Sequence, residues 1–318
     1  MATGSAPLRF SLLGPLRAWR GGTELELGSP QQRAVLAALL LRRGRTAGVG
    51  DLVDGIWGAQ PPPGALSVLR TYVSRLRKLL EPDRPAGAPP RLVVSIGDGY
   101  ALRTDSVTSD LERFEDHVTR AERHRADGDL PAAARLLRDA LAGWEDTPLA
   151  GIPGPYAETE RTHLAERRLG TLETRMRVEL ELGRHEAVLP ELAALRDAHP
   201  LRETLSELLL LALYRCGRQA EALEAYARTR RVLVDELGIE PGPPLRELHA
   251  RILTGEREEV REVANSPRIS ATSAPASAPV PDARRPPPPP PPPLPPHLPP
   301  LTRRRAPLPR APAPLPPR

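Results

Sequence analysis

The chain has 318 residues, a net charge of +5, 41 prolines and a single cysteine, Cys216. That length allows two folded domains, and one thiol excludes an intrachain disulfide. No apolar run has membrane-spanning length, the one near residues 208–214 being far too short, and the start MATGSAPLRF lacks the charged and apolar regions of a secretory signal, so a soluble cytoplasmic protein is expected.

Charge and proline are unevenly spread. Residues 1–105 carry 14 Arg/Lys against 8 Asp/Glu, residues 106–264 carry 23 against 31, and residues 265–318 carry 8 against 1. A basic head, an acidic middle and a basic tail predict separate tasks. The tail holds 22 of the prolines, including an unbroken run over 286–293. Proline has no backbone donor and a fixed φ, so residues 261–318 are expected to be disordered, with stretches of polyproline II.

In the head, Leu8, Phe10 and Leu12 alternate with Arg9 and Ser11, and Glu24 to Leu27 alternates again after Gly21-Gly22. Both read as short antiparallel strands. Ser29-Pro30 opens a helix, with an N-cap hydroxyl followed by proline at the first helical position, and the apolar run AVLAALLL carries it to about Arg43. A second helix covers residues 49–57, with Leu52, Val53, Ile56 and Trp57 on one side, and Gly58 and Pro61-Pro62-Pro63 stop it.

The stretch GALSVLRTYVSRLRKLL, residues 64–80, predicts a third helix. Leu69, Val73, Leu76 and Leu80 form its buried stripe. Opposite lie Ser67, Thr71, Ser74 and Lys78, the only lysine of the chain. Arg70 and Arg75 flank that exposed face, and Arg77 sits nearer the stripe. Beyond a loop over 82–90, residues 92–96 and 100–103 read as two strands joined by Gly97-Asp98-Gly99. Strands, three helices and a terminal hairpin make the order of a winged helix–turn–helix. A basic amphipathic helix is ordinarily a solvated one, but this order and the positive head point to DNA. A major groove admits one helix, short hydroxyls allow close approach, and arginines reach phosphates or guanine edges.

The segments PQQRAVLAALLLRRGR, DLVDGIWG, PPPGALSVLRTYVSRLRKLL and GDGYAL resemble the Streptomyces antibiotic regulatory protein family, whose members are transcription activators with an OmpR-type winged helix. The resemblance implies that residues 1–105 are a DNA-binding domain, that helix 64–80 is the recognition helix and that hairpin 91–103 is the wing. Ser67, Arg70, Thr71, Ser74 and Arg75 are then expected at bases or phosphates, with Arg77 and Lys78 on the DNA backbone. The sequence departs from the family pattern in places. Gly48 and Gly64 stand where a capping Ser or Thr is common, Leu66 and Val68 where polar or basic residues are common. Asp98 places an anion at the wing tip, so Arg91 or Arg103 is expected to make the wing contact instead.

In the middle, Ser109-Asp110-Leu111-Glu112 is a capping box before an apolar-periodic run. From there to about residue 255 nearly everything reads as helix. Gly183-Arg184 and Gly217-Arg218 lie 34 residues apart, each before a Glu/Ala-containing segment, and Gly128 introduces a related unit. That period is the one of tetratricopeptide helical hairpins, so residues 106–260 are expected to be an all-α repeat domain following the α+β winged helix. The segment LYRCGRQAEALEAYARTRRVLVDELGIEPGPPLREL resembles the bacterial transcriptional activation domain of the same family. Its acidic balance argues against DNA contact, and the resemblance implies activation and contacts between protomers.

No Gly-rich phosphate loop occurs, the seven histidines show no metal-ligand spacing, and one cysteine builds no thiolate site. Cys216 and the tryptophans Trp57 and Trp144 read as packing residues. Neither a cofactor nor an enzymatic activity is expected, nor are the ATPase module of longer family members or phosphorelay control through a receiver domain. The expected function is a cytoplasmic, nucleoid-associated activator of a biosynthetic pathway, antibiotic production by resemblance. It would bind double-stranded promoter DNA as a homodimer on direct repeats and contact RNA polymerase, through its sigma subunit, with helix 49–57 and the activation domain. Repression would use the same DNA contacts. A helical-repeat adaptor with a degenerate winged helix is the reading from another class, supported by Leu66, Val68 and Asp98. The arginine-rich tail is either inert or adds nonspecific DNA attraction or recruits a proline-binding module.

Overall fold

The structure, a computed structural model, describes residues 7–103, 107–145 and 147–255. The chain separates into residues 1–259 and residues 260–318. The tail expected to be disordered lies outside the described residues.

The head begins with a four-stranded sheet in the order β3-β2-β1-β7. Strand β1 (Leu8–Ser11) pairs antiparallel with β2 (Arg17–Arg20), which pairs with the two-residue β3 (Thr23–Glu24). The alternation at 24–27 predicted a longer strand there, but pairing stops at Glu24 apart from one bond from Leu25 N to the Ala18 carbonyl. Leu27 instead turns into the core at 2 % exposure. Strand β2 escapes a pattern reading because only Ala18 is buried; Trp19 stays half-buried under the Arg9 guanidinium, 4.4 Å from its ring.

Helix α1 (Pro30–Leu41) is capped as expected, the Ser29 hydroxyl accepting from Gln32 N at 3.3 Å. Its residues 34–40 are all buried, so it forms the centre of the head rather than one side of it. Gln32, 5 % exposed, satisfies its amide by donating to the Leu27 carbonyl at 2.9 Å. Strand β4 (Ala47–Gly48) and α2 (Val49–Trp57) follow, then α3 (Ala65–Leu80). Strands β5 (Val93–Ile96) and β6 (Gly99–Leu102) form the predicted hairpin, and β4 adds to it in the order β4-β6-β5.

Residues of the middle region complete the first sheet. Strand β7 (Val107–Ser109) runs parallel to β1 and leads straight into α4 (Asp110–Ala126). The capping box is present in full, Ser109 and Glu112 each bonding the other's backbone. The Asp110 carboxylate, 8 % exposed, reaches back across the sheet and accepts from Ser11 Oγ at 2.7 Å, Leu12 N at 2.8 Å and Leu13 N at 3.1 Å. Trp144 packs edge-on against Phe114, with ring centroids 5.2 Å apart, in a core that joins head residues such as Leu8 to Leu149 and Leu164 of the middle region.

Helices α4 and α5 (Leu130–Ala142) form an antiparallel hairpin, followed by α6 (Pro155–Glu181), α7 (His185–Ala198), α8 (Glu203–Arg215), α9 (Gln219–Leu237) and α10 (Pro243–Thr254). The three glycines of the predicted repeat share one turn. Gly128, Gly183 and Gly217 have φ of 80°, 75° and 75°. In each case the next residue donates to the carbonyl five positions back, Asp129 to His124, Arg184 to Glu179 and Arg218 to Leu213. This is the Schellman arrangement, whose left-handed residue favours glycine. The start of α6 abuts α2: a Cβ on Gly154 would lie 2.6 Å from the Gly55 and Ile56 carbonyl oxygens, and one on Gly55 would lie 3.0 Å from Tyr156 Cβ. The end of α6 and the last four helices close a second core that includes Met176, Leu210, Ala222, Leu245 and Ile252. Cys216 is half-buried beside it, its thiol pKa raised by burial.

Candidate nucleic-acid interface

Helix α3 is held by its predicted stripe. Leu69, Val73, Leu76 and Leu80 are at most 1 % exposed, and Ala65 adds to them at the N-terminal end. Burying four such side chains contributes about 1.5–3 kcal/mol each before entropy is counted. Tyr72 stacks on Trp57, with centroids 6.5 Å apart, tying α3 to α2. At the C-terminal end Arg20 Nη2 donates to the Leu79 carbonyl at 3.1 Å, and Arg77 and Lys78 complement the helix dipole.

The N-terminal end is set by backbone geometry. Gly64 has φ +73° and ψ 24° and offers no side-chain cap. A Ser or Thr here would have to enter the left-handed region, so glycine fits the turn after Pro61-Pro62-Pro63 on conformational grounds. Gly48, with φ −60°, carries no such requirement.

The opposite side of α3 is exposed at Ser67, Arg70, Thr71, Ser74, Arg75 and Lys78, and Leu66, on the flank of the stripe, is exposed at the N-terminal end. The structure thus brings Ser67, Arg70, Thr71, Ser74, Arg75 and Lys78 onto one solvent-facing surface. Among the described residues the side chains of Arg70, Arg75 and Lys78 make no internal hydrogen bond or ion pair. Thr71 Oγ1 donates to the Ser67 carbonyl at 3.0 Å. Its donor is thereby committed, leaving a methyl and an acceptor.

Arg77 is placed differently. Its Nε donates to the Val93 carbonyl at 2.8 Å and its Nη2 to Ser95 Oγ at 2.9 Å, with its carbon 5.7 Å from the Tyr100 ring centroid. Burial lowers its pKa. Rather than pointing at solvent beside Lys78, it fastens the wing to α3. The sequence signal was its angular position at the edge of the stripe; its partners, 16 and 18 residues onward, carry no local mark.

The wing itself turns at Gly97, φ +58°, with Ile96 and Asp98 exposed at the tip. Gly99 lies against β4, where a Cβ would fall 2.3 Å from the Ala47 carbonyl oxygen. Arg91 and Arg103 are both exposed at the base of the hairpin. Their backbone N–H groups are bonded, to Glu81 Oε1 and the Leu92 carbonyl, both at 2.8 Å.

Two family models match the chain: "Transcriptional regulatory protein, C terminal" over residues 22–102 and "Bacterial transcriptional activator domain" over residues 109–253. The Regulatory protein DnrI of Streptomyces peucetius is 35 % identical over 275 residues, which cover 85 % of this chain and 100 % of DnrI. The chain belongs to the Streptomyces antibiotic regulatory protein family. Another family relative, the Regulatory protein AfsR of Streptomyces coelicolor, is 52 % identical over 277 residues, 86 % of this chain but only 27 % of AfsR. A solved structure of Mycobacterium tuberculosis EmbR in complex with a low affinity phosphopeptide matches with a TM-score of 0.74 at 38 % identity, covering 80 % of this chain and 67 % of that one. A winged-helix head followed by tetratricopeptide-like helices is therefore the fold of this family member. AfsR and DnrI are named as regulatory proteins, not as enzymes. Among the described residues no group of three or more His, Cys, Asp or Glu could hold a metal ion, and no helix is long and apolar enough to cross a membrane.

Proposed function

We propose that this chain is a sequence-specific DNA-binding transcription regulator and that α3 is its recognition helix. The observation that carries the reading is the exposed face of α3, where Arg70, Arg75 and Lys78 stand without internal partners beside Ser67, Thr71 and Ser74. Unpaired cations offer their field to an external anion, and short hydroxyl side chains let a helix approach base edges. In this reading Arg75 and Arg70 reach bases or phosphates, Lys78 holds a phosphate, and Arg91 and Arg103 flank the wing contact. Arg77 sets the angle between wing and helix. Residues 1–105 act as the DNA-binding region and residues 106–260 as the activation region. Two copies lie on direct repeats in a promoter about one DNA turn apart and recruit RNA polymerase, through its sigma subunit, to a biosynthetic pathway.

The test is selection of random duplexes by the purified chain. Enrichment of a repeated motif, weakened on Arg75→Ala, is expected; recovery of no motif overturns the reading. Transcription with purified polymerase then decides between activation and repression. The adaptor reading draws on Leu66, 50 % exposed on α3, and on Asp98, exposed at the wing tip. It predicts no enriched duplex and a protein partner that survives mutation of Arg75.

A further inference from the structure

We infer that the N-terminal end of α3 reads thymine through its C5 methyl group, with Leu66 and the methyl of Thr71 as the apolar contacts. The inference rests on the proposed recognition role of α3 and assigns part of its specificity. Leu66 is the second residue of the helix and is 50 % exposed. An isolated exposed leucine needs no explanation on an arbitrary surface. Here its setting differs, because Ala65 is buried and Leu66 is the first side chain of α3 to project from the domain. In helix–turn–helix proteins the N-terminal residues of the recognition helix are those that contact base edges. Arg70, one turn further on, is exposed as well, so apolar and cationic contacts share that end.

Thr71 supplies the second, independent observation. Its hydroxyl donates to the Ser67 carbonyl at 3.0 Å, so a base acceptor finds no free O–H there. The groups it can present are an acceptor and a methyl. In the major groove thymine alone carries a C5 methyl, and contact with it is made by apolar groups, including the methyl of threonine. The apolar groups of Leu66 and Thr71 therefore suit the thymine methyl, and a threonine with its donor committed does not suit the guanine edge, which offers only acceptors.

The experiment uses the full chain and the duplex it selects. Each thymine is replaced in turn by deoxyuridine, which removes the methyl and leaves pairing and the O4 acceptor intact. At one or more positions of each repeat, affinity is expected to fall about fourfold, the change that burial of one methyl carries. Leu66→Ala should weaken binding to the thymine duplex and abolish the uridine effect at one of those positions, while Arg75→Ala leaves that effect in place. Thr71→Ser, which keeps the hydroxyl and removes the methyl, should do the same as Leu66→Ala at a neighbouring position. Leu66 is exposed and Thr71→Ser is conservative, so both variants should keep the parent's melting temperature. Tolerance of uridine at every position within about twofold, or undiminished uridine sensitivity in both variants, overturns the thymine assignment while leaving the recognition role standing. If no duplex is enriched at all, both fall together.

Discussion

Helix α3 and the ion-paired arginines of the helical array treat their charges in opposite ways. In the array, Arg202 bonds Glu173 at 2.7 Å and Glu166 at 3.0 Å, Arg218 holds Glu221 through two bonds of 2.7 and 2.6 Å, and Arg230 holds Glu240 at 2.6 and 2.5 Å. Glu115 of α4 bridges Arg43 of the head and Arg167 of α6. On α3 the cations have no such partners, and Arg75 and Lys78, three residues apart, repel each other mildly. Neutralised charge serves position; charge left open to water serves encounter with an anion. Net charge alone hides this, because the arginine-rich array is acidic overall only by a small excess of carboxylates.

The largest expected effect breaks a structural contact. Asp110→Ala would strand the Leu12 and Leu13 N–H groups and the Ser11 hydroxyl in a buried site. Each stranded donor costs about 1–3 kcal/mol, so a loss of at least about 3 kcal/mol is expected. A urea titration measures it, and an unfolding midpoint equal to the parent's would show that Asp110 does not join the sheet to α4. Next comes Arg75→Ala, which should weaken operator binding by about 1–3 kcal/mol if it reads a base and leave stability within about 0.5 kcal/mol. Arg230→Ala, at a paired arginine of the array, should leave operator affinity alone. Equal losses from both variants in a gel-shift titration would erase the distinction between open and paired charge.

How far the sequence reveals these roles follows from the range of the interactions. The three helices and the hairpin of the head were legible because periodicity and local breakers define them. The repeat of the array was legible because a Schellman turn places a strong demand on one residue. Strands β4 and β7, two and three residues long, have too little length for a pattern and exist because a partner strand offers them hydrogen bonds. Asp110 reads locally as an acid in a first helical turn, favourable to the dipole; its main partners lie 97 to 99 residues away. Ser67, Arg70, Thr71, Ser74, Arg75 and Lys78 could be placed on one surface from helical angle alone. For Arg77 helical angle gave only its place at the edge of the stripe; its bonds to Val93 and Ser95 depend on the position of β5.

That distinction gives a smaller effect. Lys78→Ala should reduce the slope of log affinity against log salt by about one unit if the ammonium pairs with a phosphate. Arg77→Ala should act on the wing, exposing the Val93 carbonyl and freeing the Ser95 hydroxyl, with a lower melting temperature. An unchanged salt slope in Lys78→Ala would remove it from the DNA backbone; a full-unit drop in Arg77→Ala at parental stability would put Arg77 there instead.

The smallest effect separates the two regions by pH. Residues 1–105 contain no histidine, so contacts made by α3 have no group titrating near neutrality. The array contains His249, stacked on Tyr226 with ring centroids 3.7 Å apart, and His185, near Arg215. Burial lowers the pKa of both, with Arg215 adding to the effect on His185. In the unfolded chain these imidazoles titrate near about 6.5. As pH falls through that value the unfolded state binds protons that the folded state refuses, so stability declines. It levels off once pH passes below the depressed folded values, and above about 7 the two groups leave stability flat. Melting temperatures taken from pH 7.5 to 5.5 should therefore fall, and less steeply in His249→Phe, which keeps a stacked ring without a titrating nitrogen. Identical slopes in parent and variant would show that the Tyr226 stack does not exclude the proton.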